Sequence, residues 1–261
     1  MISFLQQLKF RNETMFYFGV ACLVLSVLFL ILAKTTTTQV YGVNAWYKPF
    51  KFAFSTLTFA WAMAWYCYYL PNFNIKFFNW SIIVLLGFEI AYIALQAGRG
   101  QLSHYNLSTP VYSVLFSMMA LAASAVTIYT AYVGFLFFSN SFPELPTYYV
   151  WAIRLSIVLF VIFSFEGFAM GSRLSHTVGA LNDNSNLFIL GWSKTFGDLR
   201  VAHFIGMHAL QVLPVLSFYV LKNTKLTIVV ALLYGLLALS TLIQALKGKP
   251  LLGGKGNTEV V

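Results

Sequence analysis

The sequence predicts an all-α integral membrane protein, one polytopic bundle of about seven transmembrane helices. Two observations carry that expectation. Hydrophobic residues make up 59% of the chain and charged residues only 9%, with a mean hydropathy of +0.77, a balance foreign to soluble domains. In addition, a bilayer core needs about 20 mostly apolar residues per helix. Stretches 14–34, 50–70, 77–98, 110–138, 148–171, 198–221 and 225–246 meet that requirement.

Each span has its own justification. The first follows the polar run Arg11-Asn12-Glu13-Thr14, lacks a small-residue cleavage pattern and is too long for a signal-peptide core, so it is expected to be retained. From Leu23 to Leu32 it is apolar on every side apart from Ser26. A barrel strand would alternate, whereas a helix satisfies its own backbone in lipid. Span 50–70 opens on Trp46-Tyr47-Lys48-Pro49-Phe50-Lys51-Phe52, read as an interfacial anchor, with anion binding as a secondary role; Trp61, Trp65, Tyr66, Tyr68 and Tyr69 mark its other interface. Pro71-Asn72 turns the chain into 77–98. Ser108-Thr109-Pro110 starts the fourth span, Pro143 to Pro146 precede the fifth, and Asn182-Asp183-Asn184-Ser185-Asn186 precede the sixth. No long linker intervenes, so residues 1–261 form a single domain, with a tail at about 253–261 expected to be disordered.

Lys and Arg are more frequent on the face reached after the odd-numbered spans, which predicts an outside N-terminus and a cytoplasmic C-terminus in the cell membrane. The formal charge of +9 suits anionic lipid headgroups as partners and does not point to nucleic acid. Cys22 and Cys67 fall in separate spans, which argues against a disulfide framework or a Cys-based metal site.

Polar residues inside the spans point to the functional centre. Glu89, Arg99 and Leu102-Ser103-His104 form one set, and Glu166, Arg173 and Leu174-Ser175-His176 a similar one. Charged residues in apolar spans are costly and tend to mark function. A third segment, running from Gly197 to Gln211, adds Asp198, Arg200, His203, His208 and Gln211. With seven spans, all four histidines lie toward one face. Glu89, Tyr92, Gln96 and Arg99 share a helical stripe, as do Glu166, Met170, Arg173 and His176 provided that the helix continues to His176. His203 and His208 are five residues apart, about 140° around a helix. His208, three residues from Gln211, is the deeper candidate.

Carboxylates with neutral imidazoles suit zinc or iron, so the leading expectation is a metal-dependent membrane enzyme acting on a lipid or small amphiphilic substrate. His104, His176, His203 and His208 are its candidate metal ligands. Glu89, Glu166 and Asp198 are candidate acid-base groups, and Arg99, Arg173, Arg200, Gln96 and Gln211 candidate substrate-binding groups. Span count and residue types resemble the seven-span membrane hydrolases related to alkaline ceramidase, which use Ser, Asp and three His at zinc. The last span here has no His, so the resemblance assigns no residue. Two alternatives use the same residues. Haem b would take two His as axial ligands with arginines at its propionates; a proton-coupled transporter would exchange protons at Glu89 and Glu166 while His and Arg recognise a small anion.

Overall fold

The computed structural model describes residues 3–179, 187 and 189–252. The expected turn at 182–186 and the tail at 253–261 lie outside the described residues. The helices are α1 (Phe4–Arg11), α2 (Glu13–Thr35), α3 (Tyr47–Cys67), α4 (Ile75–Gly98), α5 (Pro110–Ser139), α6 (Thr147–Phe165), α7 (Gly167–Arg173), α8 (Arg200–Leu216) and α9 (Thr224–Leu246). A π-type turn, Ser217–Leu221, extends α8. Two short antiparallel pairs complete the fold. β1 (Gln39–Val40) pairs with β2 (Val43–Asn44), and β3 (Thr177–Val178) with β4 (Gly197–Asp198), Thr177 opposite Asp198.

Local chemistry sets the helix starts. Asn12, Asn74, Thr109 and Asn223 each accept the backbone N–H three residues on, and Pro110 occupies the first turn of α5 where its missing N–H costs nothing. Asn12 does more than cap. Its amide and that of Asn79 exchange hydrogen bonds of 3.0 and 2.8 Å, joining the α1–α2 corner to α4 and satisfying two buried amides at once.

Among the described residues, six helical stretches are long and apolar enough to cross a membrane: α2, α4, α5, Thr147–Arg173, Arg200–Leu221 and α9. Their outward faces are apolar, with Leu23, Val27 and Ile31 on α2, Leu121, Ile128 and Phe135 on α5, and Leu232 and Leu236 on α9 all exposed. This all-α architecture fits a multi-pass membrane protein. The expected count of seven is not reached on these criteria. The missing member is span 50–70, which forms α3 but carries Lys48, Lys51, Ser55, Thr56 and Thr58. Its polarity has a physical reason: α3 is an interior helix. Ala53, Ala60, Met63 and Ala64 are fully buried, and its polar groups meet protein.

Two irregularities lock neighbouring helices. Pro214, inside α8, has no N–H for the carbonyl of Leu210 four residues earlier; the Tyr66 hydroxyl of α3 donates to that carbonyl at 2.7 Å. Gly206 sits where a Cβ would fall 2.0 Å from the ring of Phe163, so α6 and α8 approach closely only because the side chain is absent. These contacts bring the starts of α3 and α8 and the ends of α4 and α7 to one end of the bundle.

Candidate anion site

At that end, four segments converge. The first turns of α3 supply Lys48 and Lys51, which are three apart and share a face. The loop after α4 supplies Ser103, His104 and Tyr105. The segment after α7 supplies His176, and the approach to α8 supplies Asp198 and Arg200. Lys48 Nζ lies 3.1 Å from His104 Nδ1, and Ser103 Oγ lies 3.2 Å from the same atom. When Lys48 is an ammonium it can only donate, so that Nδ1 accepts and the ring proton of His104 sits on Nε2, where it is a donor. Lys51 Nζ donates to the Leu190 carbonyl at 2.8 Å, and Arg200 donates to the adjacent Gly191 carbonyl.

Asp198 organises the approach to α8. Its carboxylate, 2% exposed, accepts from Ser193 N at 2.9 Å, Arg200 N at 3.0 Å, Arg200 Nε at 2.9 Å and Arg200 Nη2 at 2.6 Å. This is a two-pronged guanidinium contact backed by backbone donors. Burial would raise the Asp198 pKa; the hydrogen bonds and charge of Arg200, with help from His176 and Ser193 N, outweigh it and hold the carboxyl below its ordinary value of 3.8. Both loop histidines move the other way. Burial, then Lys48 and His176, pushes His104 well below 6.5. Burial, then Arg200, brings His176 down to about 4. Both imidazoles are therefore neutral at pH 7. Burial also raises the Tyr105 hydroxyl to about 12, leaving it a neutral donor or acceptor.

The residues expected from sequence are divided among four places, with two arginines outside them. His104, His176, Asp198 and Arg200 belong to the cluster just described. Glu166 and His203 form a second locus beside it. Glu166 occupies the joint between α6 and α7, its side chain 6% exposed, and His203 Nδ1 lies 3.5 Å from Oε2; that Nδ1 also donates to the Phe163 carbonyl at 2.7 Å. His208 and Gln211 face α3: His208 Nδ1 is 3.2 Å from Gln211 Oε1, and Nε2 is 3.4 Å from Ser55 Oγ, one turn beyond Lys51. Glu89 and Gln96 lie buried on α4. Arg99 and Arg173 are exposed.

The stripe expected for Glu166, Met170, Arg173 and His176 does not form. The helix kinks at Glu166 and stops at Arg173, where Leu174 takes a left-handed φ of 49° and Ser175 N bonds the Met170 carbonyl. Gly167 and Gly171 weaken helix propensity through this stretch. His176 thereby leaves the helix, and its carbonyl accepts from Leu199 N at 2.9 Å beside the β3–β4 pair. Residues underweighted from sequence are Lys48, Lys51 and Tyr105. A signal existed for the first two: Lys48, Lys51 and Ser55 follow helical spacing of three and four, a polar stripe that a headgroup anchor does not need.

Among the described residues, no group of three His, Cys, Asp or Glu is placed to hold a metal ion. No protein-family model, curated protein or solved structure matches the chain. Its function is therefore argued from the geometry of this site.

Proposed function

We propose that this is a seven-span membrane protein, α3 being the seventh span, that binds a small anion at the Lys48–Lys51–Arg200 cluster and couples its movement to protons. One observation carries the reading. Two lysines and the Arg200 guanidinium share the site with a single carboxylate, Asp198, which Arg200 already engages, so an added anion would hold the two ammonium groups in their charged form, while both nearby imidazoles are neutral. A monovalent anion about 4 Å from one uncompensated cation gains about 4 kcal/mol at an effective dielectric of 20. His104 Nε2–H adds a neutral donor. The carboxyl groups of Glu89 and Glu166 supply proton-exchanging groups deeper along α4 and beside the cluster.

The metal-dependent enzyme and haem b readings receive less support. Among the described residues, ligands for a metal are not grouped, and ring nitrogens are already engaged: His104 Nδ1 with Lys48, His203 Nδ1 with the Phe163 carbonyl, and both nitrogens of His208 with Gln211 and Ser55. In the proposed orientation the chain lies in the cell membrane with a cytoplasmic C-terminus. The end of α9 lies beside the cluster, since Asp198, Gln244 and Lys249 line one crevice, so the anion site opens toward the cytoplasm.

The test uses the full chain in lipid nanodiscs, with inorganic phosphate and acetate as probes. Each anion at millimolar concentration is expected to raise the thermal midpoint of the wild type and to raise it less in Lys48→Met and Lys51→Met, each compared with its own anion-free midpoint. Equal shifts in all three proteins, or none in the wild type, would refute the site. In proteoliposomes, an inward proton gradient is expected to drive accumulation of the bound anion; binding without gradient-driven uptake would reduce the reading to a binding protein.

A further inference from the structure

Away from the cationic cluster, α4 holds a polar column that no contact described above uses. Glu89, Tyr92 and Gln96 stand at spacings of three and four, so they share one face of the helix. All three are buried, Glu89 at 6%, Tyr92 at 5% and Gln96 at 0% exposure. The amide of Gln96 donates from Nε2 to Tyr92 Oη at 3.3 Å and to the Leu102 carbonyl at 3.1 Å. Leu102 is two residues before His104, so the column begins at the loop that bears the cluster. Its inner end is Glu89.

The column is short of donors. Glu89 Oε1 and Gln96 Oε1 are both sealed from the surface and have no hydrogen-bond partner. Two such acceptors, two turns apart on one face of a membrane helix, are costly if left alone. Among the described residues no cationic side chain pairs with Glu89. The surroundings are apolar and aromatic: Phe88 stacks on Tyr92, and Phe52, Leu115 and Met119 pack around it. A carboxylate there lacks any compensating charge. A proton on the carboxyl group removes the net charge, and the Tyr92 hydroxyl, already accepting from Gln96, retains its own proton to donate.

We infer that Glu89 is a proton-exchange site, reached from the His104 end of the bundle along the Tyr92–Gln96 face of α4. The ligand class is the solvent proton. In the forward step a hydrated proton arriving past Gln96 forms an O–H bond at the Glu89 carboxylate; in reverse that bond breaks and the proton returns to water, with no redox change. This deepens the coupled-transport reading by choosing Glu89 over Glu166 as the proton carrier and giving its route, but its test does not require anion binding.

The experiment is infrared spectroscopy of the full chain in lipid nanodiscs at neutral pH, in water and then in deuterated buffer. The wild type is expected to show the carbonyl stretch of a protonated carboxyl group, shifted on deuteration. Both Glu166 oxygens are also buried without a hydrogen-bond partner, so Glu89→Gln is expected to remove a distinct component of that band, which Glu166→Gln retains. Gln96→Leu and Tyr92→Phe should retain the band but slow its deuterium shift by roughly tenfold. A band unchanged in position and intensity in Glu89→Gln would overturn the assignment. Deuteration in both Gln96→Leu and Tyr92→Phe at the wild-type rate would overturn the route. A wild type that passes this test and fails to bind phosphate or acetate would leave the proton site standing without the anion reading.

Discussion

Acidification should destabilise this protein in a defined window, and the loop histidines set its limits. Below pH 6.5 the unfolded chain binds a proton at His176, which the folded chain refuses until about pH 4. The folded value is depressed, so stability is intact above pH 6.5, falls as the pH drops toward 4, and levels off below. His104, shifted in the same direction, reinforces the slope. At 1.36 kcal/mol per pH unit, the interval from 6.5 to about 4 is worth roughly 3 kcal/mol at most. Partial exposure of the His176 ring screens it, leaving about 1–2 kcal/mol. For a chain of this size that is a drop of roughly 3–6 °C in thermal midpoint. The assay is thermal unfolding of the nanodisc-embedded protein at several pH values across the window, beside the double variant His104→Gln/His176→Gln. The carboxyl of Asp198 does not confuse the result. Its folded value is also depressed, so its contribution is present above 3.8 and is lost only at lower pH. A flat midpoint across the window, or an equal drop in the double variant, would refute the reasoning.

Two further outcomes follow from the packing. Asp198→Ala strands the partly buried Arg200 guanidinium and is expected to cost about 2–4 kcal/mol, whereas adding Arg200→Ala should recover part of the loss; strict additivity in the double-variant cycle, followed by thermal unfolding, would show that the pair is not coupled. Gly206→Ala places a methyl group against the Phe163 ring and should lower stability by about 1–3 kcal/mol, whereas Gly87→Ala, where the same methyl meets open space, should not; equal midpoints for the two would contradict the close packing of α6 on α8.

Much of this architecture was legible in the chain because lipid leaves few options. Apolar runs of span length must be helices, and Asn12 and Thr109 with Pro110 announce where two of them start. What sequence could not resolve was the interior. Lys48 and Lys51 read as headgroup anchors because a helix start rich in aromatics is the usual setting for that role; only packing shows that they turn toward His104 and Leu190. The same limit applied to the second Glu–Arg–Leu-Ser-His set. Its resemblance to the first is a matter of letters: the first Glu is deep in an unbroken helix, whereas Glu166 sits at a kink and Arg173 ends the helix. Asp198 was singled out as an acid-base candidate, yet its four hydrogen bonds describe a carboxylate committed to positioning Arg200.

The polarity of α3 also bears on how the protein is made. A segment opening with two lysines and bearing a row of hydroxyls has little affinity of its own for hydrocarbon. Its most extensively packed neighbour is α2, joined to it by the tight β1–β2 hairpin and anchored by the Asn44 amide, which donates to the carbonyls of Ala33 and Thr36. With α3 as the proposed seventh span, the pair would partition from the translocon as one hairpin, the strongly apolar α2 carrying its partner into the bilayer. Lengthening or loosening the connection at 36–46 should therefore impair biogenesis more than it impairs the finished fold.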